Sequence, residues 1–203
     1  MPTLPIEVDL QGRPALVIGT GAEVVPKVDR LLDAGAVVTV IAEGDPGPEL
    51  EARASRITLL SRAAVDADLE GKAIVFVAPH TSPEGEARAR RWHADAVREG
   101  RLFCAIDRPE VCTFVNVAVV RVPGLTMTFG TGGASPGTAR RVREDLEALF
   151  SDPRFGRFIE RLAALRSTLP RGHRAARMAD AVRGFAVEAR LRFPAWFERG
   201  EEP

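Results

Sequence analysis

The sequence predicts an α/β protein: a mainly parallel, doubly wound sheet, then a β-hairpin, then a helical tail. Three observations lead there. Short apolar runs alternate with amphipathic segments across the first half of the chain. A glycine turn joins the first apolar run to the first helix. Past residue 112 the alternation stops, and two β-branched runs flank Pro123-Gly124 before helical periodicity takes over.

The opening stretch is the most legible. Pro14-Ala-Leu-Val-Ile-Gly19 reads as a buried parallel strand ending in glycine. Gly19-Thr20-Gly21 turns the chain. Val24, Val28, Leu31 and Leu32 then recur at helical spacing, with Gly35 as the stop. Val37-Val-Thr-Val-Ile41 is a second buried strand. Strand, turn, helix and strand within about thirty residues make a right-handed βαβ unit, the building block of a Rossmann-like sheet. Glu49 to Arg56 reads as a short helix, and Ile57–Leu60, Ala73–Ala78 and Leu102–Ile106 as further strands. Pro83 to Glu99 is a polar helix whose expected inner face is Ala87, Trp92, Ala96 and Val97. Thr113–Val122 and Leu125–Phe129 form the hairpin. Ser135 caps the next helix with Pro136 at its first position, and that helix is expected over Thr138–Phe150. In the tail, Phe155, Phe158, Ile159, Leu162 and Leu165 form one apolar stripe. Met178, Val182, Phe185 and Ala189 form another, running towards Trp196 and Phe197.

Composition excludes several classes. The chain has 203 residues, 45% hydrophobic and 28% charged, which argues against wholesale disorder. Lys plus Arg and Asp plus Glu both number 28, so net charge points to neither nucleic acid nor an anionic membrane. No apolar run reaches the ~20 residues of a membrane-spanning helix. Met1–Leu10 carries Glu7 and Asp9 and no basic segment, unlike a signal peptide. Cys104 and Cys112 are too few for a disulfide scaffold, so a cytoplasmic protein is expected. Cys104 reads as core and Cys112 as a thiol in a loop or at a strand edge.

Three segments carry chemistry. Gly19-x-Gly21 between strand and helix lets backbone approach a pyrophosphate, which the helix N-terminus stabilises. Glu43 at the end of the second strand stands where an acidic group bonds ribose hydroxyls. Its charge disfavours a 2′-phosphate, so NAD is expected over NADP. The third fingerprint position is Val24 rather than a small residue. Asp107 ends the fifth strand, where open α/β sheets place reactive groups. By position it reads equally as a general base or as a turn cap before Pro109. Gly130-Thr-Gly-Gly-Ala-Ser135-Pro136 offers backbone N–H groups and hydroxyls for an anion, and its spacing alone slightly favours a well-capped strand-to-helix turn. Among the histidines, His93 reads as lying on a solvated helix face, and His80 follows the fourth strand. No metal-ligand spacing is present.

Leu4-Pro-Ile6, Gly19-Thr-Gly21, Lys27 and Leu31-Leu-Asp-Ala-Gly-Ala36 resemble the N-terminal module of siroheme synthases. So do Phe103-Cys104, Asp107-Arg-Pro109 and Gly132-Gly133-x-Ser135-Pro136 with Arg140. This is the precorrin-2 dehydrogenase / sirohydrochlorin ferrochelatase family, and the resemblance runs through roughly residues 3–150. It implies a homodimer that oxidises precorrin-2 to sirohydrochlorin with NAD, in a cleft between its parts. Some members also insert ferrous iron, which makes ferrous ion an alternative second substrate. It also implies Asp107 as the general base, and cofactor contacts at Gly19, Gly21, Ala22, Glu23, Glu43 and Gly44. Substrate contacts fall on Thr131, Gly132, Gly133, Ser135 and Arg140. A family serine that is phosphorylated in some members falls on Thr131. Precorrin-2 carries eight carboxylates, which suits a backbone anion site and arginines such as Arg108, Arg140 and Arg141.

The expected organisation is a Rossmann-like NAD domain over 1–112, a dimerisation region over 113–150 and a helical region over 151–203. The chain departs from the family at Pro26, at Pro79-His80-Thr81-Ser82-Pro83 and at Phe114-Val-Asn116. Those departures motivate a rival from another class, a nucleotide- or tetrapyrrole-binding module without catalysis, which predicts binding without NADH formation. A generic dehydrogenase of this fold leaves the Gly132-Gly133-x-Ser135-Pro136 segment unexplained.

Overall fold

Residues Pro14–Ile18 alternate between two apolar faces, and that alternation organises the first half of the chain. Ala15 and Val17 join one buried cluster with Val24, Val28 and Leu31, whereas Leu16 and Ile18 join another with Trp92, Ala96 and Phe103. A strand apolar on both faces needs a cover on both, which is why its sequence is a continuous hydrophobic run. The fold described is that of a computed structural model, covering residues 3–79, 82–132 and 134–202. The chain divides into two units, Met1–Asn116 and Val117–Pro203.

The first unit is a five-stranded parallel sheet in the order β3-β2-β1-β4-β5. Its strands are β1 (Pro14–Ile18), β2 (Val37–Ala42), β3 (Thr58–Ser61), β4 (Ile74–Val77) and β5 (Leu102–Ala105). Helix α1 (Val25–Asp33) covers one face, and α3 (Pro83–Glu99) contributes the buried Ala89, Trp92 and Ala96 to the other. Between them in sequence lies the short α2 (Gly47–Glu51). The chain winds outward from β1 to β3, then returns to β4 on the other side of β1. The strand order reverses between β1 and β4, and their carboxyl ends form the crevice where such sheets bind ligands.

Two expectations about α3 need correction. Ala87 is exposed and Val97 is 60% exposed, so neither lies on the inner face. The buried residues are Gly85, Ala89, Trp92 and Ala96, at the 4-3-4 spacing of one helix face. Ala87 and Val97 each stand five positions from Trp92, about 140° around the helix. His93 is half-buried rather than on a fully solvated face, its ring 6.3 Å from that of Phe103. Trp92 anchors the helix. It is 1% exposed, and its indole N–H donates to the Asp66 carboxylate at 2.6 Å.

The second unit opens with the antiparallel hairpin β6 (Ala118–Val122) and β7 (Leu125–Phe129), turned at Gly124 with φ +77°. Residues 113–117, expected to start the first hairpin strand, are not in a strand. Helices α4 (Pro136–Leu149), α5 (Pro153–Thr168), α6 (Arg174–Ala181) and α7 (Ala195–Glu198) follow. The second expected apolar stripe is interrupted. α6 ends at Ala181, Gly184 takes φ +87°, and residues 185–194 are not helical.

Trp92→Ala is expected to cost about 3–5 kcal/mol, since it opens a cavity where the buried indole stood. Trp92→Phe keeps most of the volume and loses the hydrogen bond, costing about 1–2 kcal/mol. Equilibrium denaturation of the two variants checks the order.

Candidate dinucleotide site

The segments leaving β1, β4 and β5 lie side by side. Gly19 N–H donates to the Ile41 carbonyl, Ala78 N–H to Ile18 and Ile106 N–H to Val77, each at 2.8 Å. At Gly19 the approach is closest. A Cβ there would stand 2.4 Å from the Ala78 Cβ, and the residue has φ +111°, so only glycine fits. Gly21 has φ +100° and faces open space. The turn closes with Val24 N–H donating to the Gly21 carbonyl at 3.1 Å. The N–H groups of Gly21, Ala22 and Glu23 have no acceptor among the described residues, and all three residues are exposed. Bare N–H donors ahead of a helix, at the reversal of strand order, fit a pyrophosphate.

The departures at Val24 and Pro26 have a local explanation. α1 starts at Val25, so Val24 is its N-cap and its side chain fills the core with no exposed surface. Pro26 sits in the first turn, where a missing N–H breaks no helical bond.

Glu43 directly follows β2, but its carboxylate is engaged. One oxygen accepts from Ala64 N–H at 2.8 Å, the other from Arg88 Nη2 at 2.6 Å. Arg88 in turn lies 4.8 Å over the Trp92 ring. A bare carboxylate here would repel a 2′-phosphate, whereas Arg88 places an opposing charge on Glu43. No spacing in the sequence singles out Arg88 from its neighbours Arg90 and Arg91, and sequence reasoning missed it. Gly44, with φ +146°, lies beside the glycine turn, where a Cβ would be 3.8 Å from Thr20 Oγ1.

Asp107 stands just past β5, after Ile106. It is exposed, and it is the one non-glycine with positive φ among the described residues, at +63°. Aspartate tolerates this region better than most side chains, yet the conformation costs free energy and sets the side chain's direction. No hydrogen bond or ion pair among the described residues holds its carboxylate. Arg108, a candidate for substrate carboxylates, bonds Glu86 at 2.8 Å.

The second unit holds the other candidates. Thr131 Oγ1 accepts from Ser135 N–H at 3.0 Å, and Ser135 Oγ accepts from Thr138 N–H at 3.3 Å. Both hydroxyls therefore cap the start of α4, as the turn reading expected. Gly132 has φ +62°. Arg140 is exposed and pairs with Glu144 at 2.9 Å, and Arg141 pairs with Asp145 at 2.7 Å. Gly133 and His80 lie outside the described residues. Among the described residues no His, Cys, Asp or Glu side chains gather as a metal-ligating group of three or more. No helix among them is long and apolar enough to cross a membrane.

The sequence model of a family described as putative NAD(P)-binding matches residues 6–118, more than half of the chain. The chain belongs to this family. The match spans β1 to β5, including the glycine turn, Glu43 and Asp107. The chain is also 34% identical over 165 residues to a siroheme synthase of Methylococcus capsulatus, covering 81% of this chain and 34% of that one. With a siroheme synthase of Methylobacillus flagellatus it shares 33% identity over 150 residues, covering 73% and 31%. The resemblance read from the motifs is therefore borne out, and the chain spans about a third of the length of these relatives. A solved structure titled SirC, precorrin-2 dehydrogenase, has the same fold at a TM-score of 0.71 and 18% identity, covering 90% of each chain.

Within this NAD(P)-binding fold the Glu43–Arg88 pair makes a specific prediction. Glu43→Gln keeps an acceptor for Ala64 N–H and removes the carboxylate charge that Arg88 Nη2 bonds. The NADP-to-NAD affinity ratio is expected to rise roughly tenfold, the equivalent of about 1.4 kcal/mol. Calorimetric titration with both dinucleotides measures it.

Proposed function

We propose that this chain is a cytoplasmic, NAD-dependent dehydrogenase that oxidises precorrin-2 to sirohydrochlorin in siroheme synthesis. The observation that carries the reading is Asp107, an exposed carboxylate held at φ +63° past β5, on the edge of the sheet that bears the glycine turn. The names of the similar siroheme synthases, and the fold shared with SirC, support the choice of substrate.

The turn donors at Gly21, Ala22 and Glu23 bind and orient the pyrophosphate, with Gly19 and Gly44 giving backbone access. Bound NAD supplies the hydride acceptor. Asp107 accepts the proton that the substrate loses as its hydride departs, a task suited to an exposed carboxylate that no described residue bonds. Gly132, Gly133 and the Thr131 and Ser135 backbone, with Arg140, take substrate carboxylates. Arg140 exchanges an exposed ion pair with Glu144 for them at little cost, because such surface pairs are weak.

The functional form is a homodimer. Among the described residues Val120 is the only buried hydrophobic of the second unit, and α4 to α7 bury none. A two-stranded hairpin and helices without a core are marginal by themselves. Leu191, Phe193 and Phe197 stay more than half exposed. A second copy supplies what these faces lack.

Asp107→Asn tests the chemistry, since asparagine also tolerates positive φ. NADH formation from anaerobic precorrin-2 is expected to fall at least about 100-fold, with NAD affinity within about twofold of the wild type. Full turnover in the variant overturns the role of Asp107, and NAD binding without NADH formation in the wild type supports the binding-module rival. Ferrous ion added to sirohydrochlorin without NAD tests iron as a second substrate. Light scattering after size exclusion is expected to give twice the chain mass, and a single chain mass at micromolar concentration contradicts the dimer.

A further inference from the structure

The two cysteines meet in a way the function above does not use. Cys104 in β5 and Cys112 form an antiparallel bridge, and Thr113 N–H donates to the Phe103 carbonyl at 2.8 Å. That hydrogen bond flanks the cysteine pair, which makes it a non-hydrogen-bonded pair, with Cα atoms about 4.5 Å apart. This lies within the range a disulfide spans. Both side chains point the same way, with Sγ atoms 3.3 Å apart, and both thiols are free.

The pair is asymmetric. Cys104 lies deep in the sheet, raised above the ordinary thiol range by its bond with Cys112 and by burial. Cys112 is held below that range by the Cys104 thiol, against the effect of its own burial. Cys112 also lines an open cleft of about 790 Å³ with His93, Val97, Leu102 and Thr113. Cys112 is thus the better nucleophile, its residue borders an open cleft, and its partner sulfur stands beside it.

We propose that Cys104 and Cys112 are a redox-active dithiol, which a low-molecular-weight disulfide converts to an internal disulfide that locks the loop carrying Asp107. The Cys112 thiolate attacks one sulfur of the reagent, forming a mixed disulfide and releasing one thiolate. Cys104 gives up its proton, attacks Cys112 Sγ and expels the second thiolate. The protein dithiol loses two electrons and two protons, and the reagent becomes two thiols. The Sγ atoms must close by roughly 1 Å. β5 is fixed by its pairing with β4, so the movement falls on the 106–111 segment, with Asp107 in it. The disulfide chemistry is independent of the proposed reaction, and only its effect on catalysis rests on that reading.

The test incubates native protein with oxidised glutathione and digests it with trypsin plus a glutamyl protease. Cleavage after Glu110 separates the two cysteines, so their fragments stay joined only through a disulfide. The expected product is a single-chain species lighter by about 2 Da, restored by dithiothreitol, with slower amide exchange across 106–111. Cys112→Ser is expected to show neither change. Two free thiols after treatment, glutathione adducts that never resolve, or a link between chains overturns the dithiol. A disulfide with unchanged amide exchange overturns the locking of the Asp107 loop.

Discussion

The first unit depends on one close approach. β1 and β4 pair in register, and where they end, Gly19 passes so near Ala78 that a Cβ would lie 2.4 Å from the alanine Cβ. A bulkier residue at either position would push apart the strands at which the sheet reverses its order. Several consequences follow from that contact. It sets the turn at Gly21, so α1 begins with its free donors on the crevice. It leaves Ala78 N–H bonded to Ile18, which continues the edge on which Ile106 and Asp107 then lie. The glycine turn and the Asp107 carboxylate share an edge because the strands beneath them are in register.

Two acidic residues on that edge illustrate opposite fates. Glu43 is enclosed by Ala64 N–H and Arg88, so it braces the β2 end against α3. Asp107 is left exposed in a strained backbone conformation. Strain at a solvent-facing carboxylate does nothing for stability, and such outliers gather where geometry serves chemistry. The Cys104–Cys112 bridge bounds the loop that holds it, and Arg108 fastens the next residue to Glu86.

The sequence made the sheet legible where burial is two-sided or periodicity strong. β1, α1, β2 and the hairpin turn were readable, and Ser135 with Pro136 announced the start of α4. The inner face of α3 was misjudged because small residues recur on several of its faces, and only the packing of Trp92 selects one. The strand expected from Thr113 begins at Ala118, because Thr113 is spent on β5: its hydroxyl accepts from Phe103 N–H at 2.8 Å. The tail's second stripe had helical spacing, but Gly184 breaks it. In the site, Gly19, Gly21 and Asp107 were readable from strand ends. The Glu43–Arg88 pair and the cysteine bridge were not, since each joins residues by tertiary folding without a spacing signature.

The account stands most directly on the Gly21–Glu23 donors. Amide resonances followed by heteronuclear NMR during a titration with NAD would read them one at a time. The structure predicts saturable shifts concentrated at Gly21, Ala22 and Glu23, with smaller ones at Gly44. Saturable binding that leaves those three amides unmoved, or no binding at all, would contradict it.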